Sequence, residues 1–235
     1  MTPALYHLLP SFEGAVESTD GAPIDLFSVD AWQKNVLRTL EAFIARHGLE
    51  PAGAEAQAPD LFAEMLSEAR DHRDRLESFE MADAGLDEND WLMVVGVDSE
   101  TRVGLKVEQT DGGPEFIINS ELRVNKWDDG APDERVDTGD GTVPYHGAMN
   151  HFVPLSKVVC VSPGDFGRWE LKDKALAKLV GFHGILPNMN MLQRMIVRFF
   201  TGAPDTHKNT WGARPPDLPP DRDWDPPLDL REGKR

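Results

Sequence analysis

The 235-residue sequence contains little cysteine and a small share of cationic side chains. A single cysteine, Cys160, excludes any disulfide within the chain. The 24 Lys and Arg residues stand against 41 Asp and Glu residues, which gives a formal net charge of −17. An acidic surface of this kind repels the phosphate backbone of DNA and RNA. The composition therefore predicts that nucleic acid is not a partner.

Long apolar runs are also missing. No run reaches the roughly 18–20 apolar residues that cross a bilayer, so no transmembrane segment is predicted. The first residues, MTPALYHLLPSFEG, lack the basic stretch and the apolar core of a signal peptide. These absences predict a soluble protein of the cytoplasm.

A third absence concerns catalysis. The motif G-x-S-x-G, which presents a nucleophilic serine on a strand–turn–helix, occurs nowhere in the sequence. Ser99 lies in GVDSE and Ser162 in CVSPG, and neither sequence has this form. Cys160 lies inside an apolar run, where a cysteine is more often a small core side chain than a nucleophile.

The first part of the chain carries two helical patterns and is predicted to be one helical region, residues 1–85. The first pattern begins at Ser28, a good N-cap, and ends at Gly48. After a predicted loop at 50–59, a second amphipathic helix is predicted from Pro59-Asp60 to about Glu80. The apolar positions of the first helix are Trp32, Val36, Leu40, Phe43 and Ile44.

Strands and helices follow one another in residues 86–202, which predicts an α/β fold. WLMVVGV, VGLKVEQ and PEFIINSELRV are predicted strands, and KVVCVS at 157–162 is a predicted buried strand. Helices are predicted at 171–179 and from Asn188 onward. Residues 203–235 contain seven of the 18 prolines, so this segment is predicted to be a disordered or loosely attached tail.

Two polar residues of the α/β region attract attention together. Asp140 lies between two glycines in TGDGTVP, and His183 lies in LVGFHGILPN, just before the last apolar helix. Taken singly, the first fits an ordinary turn and the second an ordinary loop histidine. As a pair separated by a strand, they follow the acid-then-histidine order of α/β-hydrolases. In Ser-His-Asp enzymes the acid orients the imidazole, and the imidazole takes the proton of the serine.

The segments GDGTVPYHGA and FHGILPN resemble the C-terminal part of lipases similar to lecithin:cholesterol acyltransferase. The segment ALYHLLPS at 4–11 is similar to the one that opens the lid of that family. Gly96 and Thr101 resemble its G-x-x-x-x-T hairpin. The resemblance spans residues 2–202 and implies that Asp140 is the triad acid and His183 the triad base.

The resemblance also implies a fold and a function. Residues 1–85 would form a helical lid, and residues 86–202 the C-terminal part of an α/β-hydrolase core. The activity would be hydrolysis or acyl transfer on lipid or other carboxylic esters, without a cofactor. The serine would come from a partner chain that carries the N-terminal hydrolase half. The alternative is a non-catalytic remnant or an interaction subunit that pairs with that half.

Two core strands without a central sheet leave an open edge and an uncovered apolar face. The isolated chain is therefore predicted to be marginally stable or to need its partner.

The residues around the Asp140 loop do not form a recognisable metal site. His146 and His151 with Asp137 and Asp140 match no common ligand spacing. DTGDGT is not an EF-hand loop, because Ala148 occupies the twelfth position, where a carboxylate is needed. The sequence therefore predicts no metal.

Overall fold

The computed structural model describes residues 3–48, 51–123 and 138–232. Helices and strands are mixed along the chain, which is compatible with the predicted α/β class. The helices are α1 (Lys34–His47), α2 (Ala54–Glu77), α3 (Tyr145–Ala148), α4 (Leu171–Val180) and α5 (Asn190–Thr201). The strands are β1 (Val16–Ser18), β2 (Met93–Gly96), β3 (Thr101–Thr110), β4 (Gly113–Arg123), β5 (Val158–Val161), β6 (Trp211–Gly212) and β7 (Arg231–Glu232). None of the helices in the described ranges has both the length and the apolarity needed to span a membrane.

The chain divides into two compact units, and their bounds differ from the predicted division at 85/86 and 202/203. One unit is Met1–Phe79 with Gly104–Glu121, and the other is Glu80–Val103 with Leu122–Arg235. Residues 104–121 join the first unit because β1 pairs with β3 in parallel, for example Val16 with Leu105. A pairing between residues so far apart leaves no local trace in the sequence.

The first unit combines α1 and α2 with the three-stranded sheet β1-β3-β4. The predicted start of the first helix at Ser28 is wrong, since a short 3-10 turn precedes α1, which begins at Lys34. The predicted loop at 50–59 is also partly wrong, because α2 begins at Ala54 and contains Pro59. The core of this unit consists of Leu40, Ile44, Ala54, Ala58, Phe62 and Leu66.

Proline inside α2 is tolerated because the helix buries an apolar stripe through the same turns. Ala54, Ala58 and Phe62 are spaced by four residues, and each is buried. Pro59 removes one amide from the helical hydrogen bonds. Burial of this stripe outweighs that local cost.

In the second unit β2 and β5 form a parallel pair, with Val95 opposite Cys160. Both faces of the pair are covered, so the predicted uncovered apolar face is wrong. One face packs in a cluster with Tyr145 and Val153, and the other in a cluster with Phe182 and the buried side of α5. Two-sided burial explains why KVVCVS is a continuous apolar run.

The two edges of this sheet differ. The outer edge of β5 is bridged by Ala213, which donates to and accepts from the backbone of Cys160 at 3.0 and 2.8 Å. Within the described residues, no strand pairs with the other edge of β2. The predicted open edge is therefore present at β2.

The predicted loose tail is wrong for residues 203–232. Besides the Ala213 bridge, the indole Nε1 of Trp224 donates to the Val158 carbonyl at 2.8 Å. Asp225 pairs with the Lys157 ammonium at 2.7 Å, and β6 pairs with β7. The aromatic and carboxylate residues between the prolines find partners on the sheet, so high proline content here gives an ordered, irregular chain.

Candidate functional site

The structure brings Asp140 and His183 together in the second unit. His183 Nδ1 lies 2.7 Å from Asp140 Oδ2, although 43 positions separate the two residues. The Asp140 side chain is 12% exposed and the His183 side chain 51% exposed. An ionised carboxylate only accepts hydrogen bonds, so this pairing requires the imidazole proton on Nδ1.

The second oxygen of Asp140 is fixed by the backbone of its own loop. Oδ1 accepts from the amides of Thr142 and Val143 at 2.9 and 2.8 Å. The Asp140 amide in turn donates to the Val143 carbonyl at 3.2 Å. The carboxylate is therefore held from one side, and its other oxygen is left for the histidine.

The two glycines that flank Asp140 are each needed for a different physical reason. Gly141 has a φ of +97°, a region that side chains disfavour. A Cβ on Gly139 would lie 2.2 Å from the Val143 carbonyl oxygen, so the chain passes too close for any side chain there. The turn that the sequence suggested is thus the means by which the carboxylate is presented.

Gly96 and Thr101, the two residues of the suggested hairpin, both contact this loop. A Cβ on Gly96 would lie 2.5 Å from the Asp140 Cβ. Thr101 is fully buried, and its hydroxyl accepts from the Gly141 amide at 2.9 Å while it donates to the Ser99 carbonyl at 2.8 Å. The end of β2 and the start of β3 therefore position the acid.

His183 is anchored by its neighbours, and one of its two ring nitrogens has no partner among the described residues. Phe182, the preceding residue, is 2% exposed, and its carbonyl accepts from the amides of Ile185 and Leu186. The second ring nitrogen of His183, Nε2, makes no hydrogen bond to any residue in the described ranges. An exposed nitrogen of an imidazole whose other nitrogen is held by a carboxylate is a proton acceptor.

Sequence reasoning missed a link between the tail and this site. The Tyr145 hydroxyl donates to Asp217, and the Tyr145 amide donates to the Thr138 carbonyl at 2.7 Å. Burial and this hydrogen bond raise the pKa of the Tyr145 phenol. Tyr145 directly follows GDGTVP, so its position in the sequence could have drawn attention to it. Nothing in the sequence around Asp217 points to this contact, because its partner lies 72 residues away.

Of the three side chains that the sequence offers as nucleophiles, two are buried. Ser162 is 1% exposed, and its hydroxyl is shared with Asp165 and the Gly164 amide. Cys160 is buried inside β5, as the sequence predicted. Ser99 is half-buried and forms a backbone bridge with Gly139. None of the three forms a hydrogen bond with His183.

Across residues 3–48, 51–123 and 138–232, no three His, Cys, Asp or Glu side chains gather as a metal site. His146 and His151 lie in the described ranges, and Asp137 lies outside them.

Comparison with protein-family profiles, curated proteins and solved structures finds nothing that matches this chain.

Proposed function

We propose that Asp140 and His183 are the orienting acid and the general base of a site that transfers acyl groups from carboxylic esters. One observation carries the proposal: the 2.7 Å pairing of His183 Nδ1 with a carboxylate whose other oxygen is fixed by two amides. The His183 side chain is half exposed, and its other ring nitrogen, Nε2, makes no hydrogen bond to a described residue. This is the arrangement that a proton-accepting histidine needs.

The roles in the reaction follow from that arrangement. His183 Nε2 takes the proton of a hydroxyl nucleophile as it attacks the ester carbonyl. Asp140 keeps the ring in the correct tautomer and stabilises its cationic form. His183 then returns the proton to the leaving alcohol, and water or a second alcohol releases the acyl group from the nucleophile.

The nucleophile of this site would come from outside residues 1–235, because the sequence has no G-x-S-x-G. The resemblance of GDGTVP and FHGILPN to lipases similar to lecithin:cholesterol acyltransferase supports an ester substrate and favours a lipid one. The helical region at 1–85 would then act as the lid over an apolar acyl chain. A cytoplasmic location remains a prediction.

The first test detects the pairing of Asp140 with His183 directly and does not depend on enzymatic activity. Nitrogen-15 NMR of the labelled protein should show His183 as the Nδ1–H tautomer, with a strongly deshielded Nδ1 proton. Asp140→Asn should remove that signature, whereas Asp217→Asn should keep it, since Asp217 contacts Tyr145 and not the histidine. A His183 tautomer that is unchanged in Asp140→Asn would contradict the pairing.

The second test measures catalysis after mixing the chain with an N-terminal hydrolase half that carries G-x-S-x-G. Hydrolysis of p-nitrophenyl esters should fall by about 10⁴-fold in Asp140→Asn or His183→Ala. The control is His146→Ala, which removes a histidine near the same loop that the proposal does not use. Full activity in either Asp140→Asn or His183→Ala would contradict the proposal.

A non-catalytic interaction subunit is the second candidate. It is favoured by one observation: among the described residues, neither Ser99, Ser162 nor Cys160 forms a hydrogen bond with His183. In this case the chain would bind an N-terminal half, but the complex would hydrolyse no ester above the rate of that half alone. Complex formation is followed by size-exclusion chromatography with light scattering.

A further inference from the structure

One buried carboxylate of the second unit has no role in the proposed reaction. Glu170 directly precedes α4 and is 5% exposed. Its Oε1 accepts from the Asn190 amide at 2.7 Å, and its Oε2 accepts from the Gly167 amide. Hydrogen bonds to an ionised acceptor are about twice as strong as those between neutral groups. Glu170 therefore ties the loop that follows β5 to the first residue of α5.

The start of α5 depends on this contact because the helix has no cap of its own. Met189 occupies the N-cap position, and its side chain makes no capping hydrogen bond. The first amides of a helix need acceptors, and a negative charge is favourable beside them. Glu170 supplies both to Asn190 from a position 20 residues earlier in the chain.

A series of tight turns joins His183 to α5. The Phe182 carbonyl accepts from the Leu186 amide at 2.8 Å. The Leu186 carbonyl accepts from the Met189 amide at 3.1 Å, and the Met189 carbonyl accepts from the Gln193 amide at 3.0 Å. Each turn begins where the previous one ends, so a displacement of the helix start is passed to the histidine.

The other side of His183 constrains it less. Gly181, which links it to α4, has a φ of +96°, and a Cβ there would meet no atom within 4 Å. A glycine in open space leaves the backbone free to turn. Phe182 packs edge-on against Phe166, with 5.9 Å between the ring centroids. Phe166 directly precedes Gly167, so the loop after β5 also supports the residue before the histidine.

We propose that Glu170 is a positioning residue of the candidate site. It holds the loop after β5 and the start of α5 at the separation that brings His183 Nδ1 to Asp140. The inference rests on the proposed function, for which it assigns how the orientation of the general base is maintained. In this role Glu170 transfers no proton and contacts no substrate. Misplacement of a reacting group by about 1 Å costs about 10²-fold in rate.

Glu170→Gln changes the number of acceptors at constant size. A Gln side chain has one acceptor oxygen, so one of the two backbone amides loses its partner. Nitrogen-15 NMR of the labelled full chain should show a weaker, exchange-broadened Nδ1 proton on His183. After mixing with an N-terminal hydrolase half, kcat for p-nitrophenyl esters should fall by about tenfold to hundredfold, with KM unchanged.

Gly167→Ala disturbs the same contact while the carboxylate stays in the chain. The added Cβ would lie 2.6 Å from Glu170 Oε2. This oxygen is the end of a flexible side chain, so it moves aside and the fold is kept. The His183 Nδ1 proton should weaken as it does in Glu170→Gln. Gly167→Ala therefore decides the question if Glu170→Gln does not fold.

Asp205→Asn is the matched control. Asp205 also accepts from two backbone amides, those of Asn209 and Thr210, but both lie in the tail. Its replacement removes one acceptor from an equivalent contact and should lower stability in urea. It should leave the His183 Nδ1 proton and kcat unchanged, because no turn joins these residues to the histidine.

An unaltered His183 Nδ1 proton in both Glu170→Gln and Gly167→Ala overturns the inference. So does an equal loss of that proton in Asp205→Asn, since the effect would then follow stability alone. A proton that responds to both variants, in a complex that hydrolyses no ester, supports the positioning role and refutes the proposed function alone. Absence of the proton from the unaltered chain refutes the pairing with Asp140 and the inference with it.

Discussion

Backbone positions without room for a side chain determine how Asp140 is placed. Gly96 and Gly139 are both packed so closely that a Cβ would overlap a neighbour, and Gly141 adopts a φ that disfavours side chains. The close approaches involve Asp140 itself at Gly96 and its loop at Gly139. The position of the Asp140 carboxylate therefore depends on glycines from two segments more than 40 residues apart.

Gly96→Ala should destabilise the second unit and displace the acid. The added methyl would lie 2.5 Å from the Asp140 Cβ and 2.9 Å from the Leu186 Cδ1. Overpacking of this kind costs about 1–3 kcal/mol of the free energy of unfolding. Urea denaturation measures the loss, and the His183 NMR signature should weaken in the same variant.

Gly184→Ala is the matched control, because a Cβ at Gly184 would meet no atom within 4 Å. It should change the free energy of unfolding by less than about 0.5 kcal/mol. If the two variants are equally stable and both keep the His183 signature, the packing described around Gly96 is wrong.

Elements with a strong local pattern could be predicted from the sequence, and those built by distant partners could not. The apolar runs of β2 and β5 and the amphipathic pattern of α5 are local, and all three were predicted. The pairing of β1 with β3 and the contacts of Trp224 with β5 join segments that are far apart in the chain. The proline content of the tail indicates an irregular backbone, but it could not predict the contacts that hold the tail against β5.

The ion pair between Lys157 and Asp225, which holds the tail next to β5, should make the free energy of unfolding depend on pH in the alkaline range. The hydrogen bond that Lys157 donates to Asp225 raises the pKa of Lys157 above its ordinary 10.5. Burial opposes this shift, and the charges of Asp225 and Glu88 add to it. A raised pKa in the folded state means that the stabilisation is complete below 10.5 and is lost as pH rises through the higher folded value.

Asp225→Asn should therefore lower the free energy of unfolding at pH 7 by about 1–2 kcal/mol, since Lys157 is buried and loses its charged partner. The difference from the unaltered chain should shrink above pH 10.5. Urea denaturation across this range measures it. Asp223→Asn, an exposed neighbour in the tail, is the control and should be neutral. A pH-independent difference would show that the ion pair is not its source.

The molecule has separate apolar cores in its two units. Leu66 is fully buried in the core formed by α1 and α2, and Met195 is fully buried in the core between α5 and β5. Each core is assembled from residues of its own unit. Chains with separate cores commonly depart from a single all-or-none transition.

Leu66→Ala and Met195→Ala should therefore act on different parts of the chain. Each removes a fully buried side chain, which typically costs about 2–5 kcal/mol. Hydrogen-exchange mass spectrometry should show faster exchange across α1 and α2 in the first variant and across β5 and α5 in the second. Faster exchange throughout the chain in both variants would mean that the units unfold as one. The His183 signature should then be lost in Leu66→Ala as well, whereas independent units predict that it survives there.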